Sequence, residues 1–70
     1  MKNAKVDQKV VINDNGKRFV ATVLSKKKVG RRNVYSVRRE DGKLRENVLF
    51  DNQSANLFID VAATKFLNAN

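Results

Sequence analysis

Lys26-Lys27-Lys28 and Arg31-Arg32 put five cations into seven residues, with only Val29 and Gly30 between them. Such density suits one kind of chemistry. Each Lys or Arg that neutralises a phosphate releases a condensed counterion, so affinity for a polyanion builds up without a preformed pocket. Lys17 and Arg18 precede this cluster, and Arg38, Arg39, Lys43 and Arg45 follow it. From Lys17 to Arg45 eleven basic residues meet only Glu40 and Asp41, a net of +9, whereas four basic against five acidic residues leave −1 elsewhere. The formal charge of +8 is therefore concentrated in the middle of the chain, the sequence pattern of a polyanion-binding surface. Tyr35 lies between the two basic clusters, where an exposed ring would stack on a base; its alternative role is a core residue with the hydroxyl at the surface.

The candidate nucleic-acid contacts are thus Lys17, Arg18, Lys26, Lys27, Lys28, Arg31, Arg32, Tyr35, Arg38, Arg39, Lys43 and Arg45. No Arg–Asn constellation reads as base-specific. Binding to DNA or RNA is therefore expected to be led by phosphate contacts, with weak or no sequence preference. A second reading keeps the basic face and changes the partner to an acidic protein, such as an enzyme that handles nucleic acid, since electrostatic steering serves both.

Other chemistries lack their residues. With no His and no Cys, structural zinc, thiol catalysis, disulfides and imidazole acid–base steps drop out. Ser25, Ser36 and Ser54 have no His to activate them. Glu40 and Asp41 belong to a turn, and nothing marks Glu46 and Asp51 as an acid–base pair. There is no Gly-rich phosphate loop and no nucleophile elbow, so neither an enzyme nor a cofactor is expected. Apolar runs stop at three residues, as in Val10–Ile12 and Val48–Phe50, which is too short for a bilayer or a signal peptide. The expectation is a soluble protein of the cytoplasm, nucleoid or nucleus, monomeric or weakly dimeric, with no membrane partner.

These cations need a scaffold, and 70 residues allow one small domain over 1–70. Met1–Lys5 reads as loose. Val10–Ile12 is β-branched and ends at Asn15-Gly16, a turn pair that favours positive φ. Arg18–Leu24 is apolar on both faces at period two, as a long bent strand inside a small barrel would be. Lys26–Arg32 reads as a charged loop. Asn33–Arg39 and Leu44–Phe50 form two strands around Asp41-Gly42, a hairpin signal. Beyond it, Leu57–Val61 fits a short strand or a helical turn, followed by a helical end for which Ser54 is a candidate N-cap. The sum is mainly β: a small SH3-like, five-stranded barrel with a short C-terminal helix or strand.

Phe19-Val20-Ala21-Thr22-Val23-Leu24, Val34-Tyr35-Ser36-Val37-Arg38, Glu40-Asp41-Gly42-Lys43 and Glu46-Asn47-Val48 together resemble the Tudor and chromo-barrel pattern over about residues 9–50. The resemblance implies a Tudor-like barrel. Its readers hold methylated cations in a cage of aromatic rings. The turns that would carry that cage, Asn13–Lys17 and Arg39–Lys43, contain no ring here, which assigns Phe19, Phe50 and Phe58 to the core.

Overall fold

The computed structural model describes residues 2–68 and shows a mainly β, closed five-stranded barrel with a short C-terminal helix. Strands β1 (Lys9–Asp14), β2 (Lys17–Val29), β3 (Arg32–Arg39) and β4 (Leu44–Phe50) pair antiparallel in chain order. Strand β5 (Leu57–Ile59) closes the sheet by lying antiparallel to β1 and parallel to β4. Within the barrel wall, closure hides most of the sheet's edges. The architecture is compatible with an SH3-like fold.

Turn chemistry sets the register. Asn15 and Gly16 have φ of 52° and 88°, the paired positive values that a two-residue type I′ hairpin requires between Asp14 and Lys17. At the β3–β4 turn, the Gly42 N–H donates to the Arg39 carbonyl at 2.8 Å, and Gly42 alone takes positive φ. Alternation does the rest. Val10, Ile12, Ala21, Val23, Tyr35, Val37, Val48 and Ile59 point inward and form the core, with Phe19, Phe50 and Leu57 packed at its margin.

Two expectations about the chain ends change. Ala4 is buried, and its N–H donates to the Tyr35 hydroxyl at 3.3 Å, so the start of the chain is anchored at that point rather than loose. Met1 lies outside the described residues. At the other end the strand and helix alternatives resolve into β5 followed by helix α1 (Val61–Leu67). Its N-cap is Asp60, whose carboxylate accepts from the Ala63 N–H at 3.0 Å, and not Ser54.

The helix is placed where β1 runs out of partners. Strand β5 pairs only with Ile12–Asp14, which leaves the Val11 backbone facing no strand on that side. Helix α1 takes its place: Val11 N–H donates to Thr64 Oγ1 at 2.9 Å, and Asp60 N–H donates to the Val11 carbonyl at 2.8 Å. Thr64 is fully buried in this role, and a buried amide left unpaired costs about 1–3 kcal/mol.

Candidate nucleic-acid interface

Lys26–Arg32 is not a loop. Lys26 pairs with Tyr35, Lys27 with Val34, Lys28 with Asn33 and Val29 with Arg32, so the basic cluster is the end of a β-hairpin. Only Gly30 and Arg31 join its strands, with Gly30 at φ 63° in the first central position, as a type II′ turn prefers. Pairing with β1 ends at Thr22, and pairing of β3 with β4 ends at Val34, so the last two rungs form a two-stranded ribbon. The sequence suggests a loop because no core accepts these side chains. They form a strand anyway, since both faces of a projecting ribbon meet water.

Rung parity sorts the cations. Tyr35 points into the barrel, so Lys26 opposite it and Lys28 two residues on share that face. Lys27 and Arg32 lie on the outer face, as does Arg38. Arg32 and Arg38 are six residues apart on β3, about 20 Å at ~3.3 Å per residue. These five basic side chains, with Arg31 at the turn, are exposed and make no ion pair among the described residues. Lys9 extends the outer row, because Thr22 pairs with both Lys9 and Arg38. In the sequence it is an isolated cation outside the basic segment; only strand pairing puts it in one row with Arg38, Thr22 lying between them.

At the opposite end of β3 the same residue types are differently occupied. Asp14, Phe19, Arg39 and Arg45 point inward and close the barrel mouth. Asp14 Oδ2 accepts from Arg39 Nη1 at 3.0 Å, and Asp14 Oδ1 accepts from Arg45 Nη2 at 3.2 Å. Arg45 Nε also sits 3.0 Å from Oδ2, without hydrogen-bond alignment. Arg39 donates further to Asp41 and lays its guanidinium 3.5 Å from the centroid of the Phe19 ring. The hydrogen bond to Asp41, with that to Asp14, holds the Arg39 pKa above its ordinary value against partial desolvation. Arg39, and then the Lys43 N–H, hold the Asp41 carboxyl below the usual carboxylate range. With Asp14 6% and the Arg39 side chain 12% exposed, this cluster is structural, and Arg39 and Arg45 leave the set of free cations.

The remaining candidates scatter. Lys17 and Lys43 rim the barrel mouth beside this cluster. Arg18 lies on the outer face next to α1, 3.7 Å from Asp60; its side chain is 68% exposed, so the pair is weak. Tyr35 is a core residue with no exposed surface, its ring 6.0 Å from that of Phe50, and it presents no face to a base. Comparison with known proteins finds no family model, no curated protein and no solved structure that matches this chain. The assignment of function therefore rests on the site. No helix among the described residues is long and apolar enough to cross a membrane.

Proposed function

We propose that this protein binds nucleic acid through the β2–β3 ribbon, led by phosphate contacts and with little sequence preference. The observation that carries the reading is a set of cations on one projecting hairpin that have no carboxylate partner among the described residues: Lys26, Lys27, Lys28, Arg31 and Arg32, with Arg38 and Lys9 continuing the outer face. Cations without carboxylate partners are available to a polyanion, and a strand-paired hairpin has less conformational entropy to lose on binding than an open loop.

The sequence resembles the Tudor or chromo-barrel type, but a methyl-cation cage has no support among the described residues. The Phe19 ring face is taken by Arg39, Tyr35 is enclosed, and a cationic surface repels a cationic ligand.

A salt titration tests the reading. Engagement of five phosphates gives a slope of log K against log [salt] of about −4.5 on duplex DNA, or about −3.5 on single strands. Replacing Lys26, Lys27 and Lys28 by Ala lowers affinity for all sequences alike and flattens the slope. Absence of binding to DNA and RNA at about 50 mM salt, where the phosphate term is strong, overturns it and favours an acidic protein partner.

A further inference from the structure

The root of the ribbon carries a feature that phosphate contacts do not use. Both of the sheet's register irregularities fall around one rung, Ser25 opposite Ser36. On one side β2 slips between Val23 and Ser25; on the other, β4 slips where β3 passes from Tyr35 to Val37, so Ser36 has no partner on β4. The slip on β4 holds Asn47 at φ 59°, a left-handed conformation that costs a non-glycine residue energy. Bulges of this kind re-aim side chains, and they are over-represented beside functional sites.

The result is a recess of about 190 Å³ on the outer face, lined by Ser25, Lys27, Val34, Ser36, Glu46 and Asn47. The two small hydroxyls make its floor polar, and Val34 is buried at one side. The side chains of Ser25, Ser36, Glu46 and Asn47 have no hydrogen-bond partner among the described residues. Donors and acceptors thus converge on a small cup, and Lys27 joins it to the ribbon's cations.

We propose that this cup receives one base of a single-stranded nucleic acid whose phosphates lie on the ribbon, with Asn47 holding the base edge and Glu46 selecting bases that bear an amino group. The inference rests on the reading of the ribbon as a nucleic-acid surface and adds the strandedness and the preference. A concave recess admits a base edge that has left the stack; in a duplex the edges are sunk in grooves and reached by projecting side chains. An ionised Glu only accepts hydrogen bonds, so it favours adenine, cytosine or guanine, whose edges carry N–H₂ groups, over the carbonyl-rich edge of thymine or uracil.

The test compares short oligonucleotides of dA, dC and dT, and a duplex, at fixed salt. The expected result is about tenfold tighter binding of dA or dC than of dT, the scale of one good base contact. Glu46→Gln and Asn47→Gly remove most of that preference and leave the salt slope unchanged. Lys27→Gln flattens the slope instead. Asn47→Gly keeps the positive φ that the bulge needs, so it deletes the amide without unfolding the strand. Equal affinity for all strands and the duplex, a preference for dT, or variants that weaken every oligonucleotide equally overturns the cup while leaving the ribbon reading intact. Binding to no polymer at all overturns both.

Discussion

The ribbon and the barrel mouth hold the two ends of β3, and each is rich in Lys and Arg, yet they differ in what opposes the charge. At the mouth, Asp14 receives Arg39 and Arg45, and Asp41 receives Arg39 again. On the ribbon, no carboxylate pairs with Lys26, Lys27, Lys28, Arg31 or Arg32 among the described residues. Basic residues of one kind therefore serve two ends: enclosed and paired, they hold the barrel shut, and unpaired on a projecting hairpin they remain available to a partner. Charge counted along a chain overstates the binding surface wherever part of it is neutralised internally.

Five perturbations break or sharpen this contrast. Phe19→Ala has the largest effect, because the ring supports the core margin and carries the Arg39 guanidinium; chemical denaturation should show a loss of about 3 kcal/mol. A variant as stable as the parent would mean the mouth is not part of the core. Asp14→Asn should cost about 2 kcal/mol by the same measurement, below the range for fully enclosed ion pairs because Arg45 reaches solvent. Its salt slope for polymer binding should stay that of the parent. A steeper slope would show that freed Arg39 and Arg45 can join the binding surface.

Gly30→Ala tests the ribbon's shape without touching a cation. The added Cβ meets nothing within 4 Å, so the loss of about 1 kcal/mol comes from the positive φ alone. Weaker polymer binding in this variant at unchanged charge would mean that the ribbon's geometry contributes beyond its cations. Replacing Lys26, Lys27 and Lys28 together by Ala should move stability by no more than about 0.5 kcal/mol per position, as expected for exposed positions away from packing.

The smallest effect is on pH. Asp41 is depressed in the folded state by Arg39 and the Lys43 N–H, so its stabilising contribution is fully present above its ordinary value of 3.8. It fades as pH falls through the lower folded value. Parent and Asp41→Asn stabilities should therefore converge below about pH 4, the usual carboxylate range. A gap that widens there would assign the acid response to another carboxylate.

Much of the fold was legible because its signals are local. Asn15-Gly16 and Asp41-Gly42 announce their turns through backbone preference, and Leu44–Phe50 coincides with β4. Period two along Phe19–Val23 placed those residues correctly in a barrel wall. Lys26–Val29 was illegible as strand because strand signals rest on apolar alternation, and here three successive cations erase it. Tyr35 was ambiguous for a related reason, since a ring with a hydroxyl suits either the core or a stacking surface. The Ala4 N–H, 31 positions away, resolves it.

What the sequence alone determined is the chemistry available: a concentrated positive charge, no thiol or imidazole, and turns that fold a short chain into a small barrel. These follow from residue type and near neighbours. Only the tertiary structure decided which cations are free. Asp14 meets Arg39 across 25 positions and Arg45 across 31, and the cup beside Ser36 exists only where bulges on two strands flank one rung. Pairing and concavity are properties of residues brought together by closure of the sheet, and no local propensity encodes them.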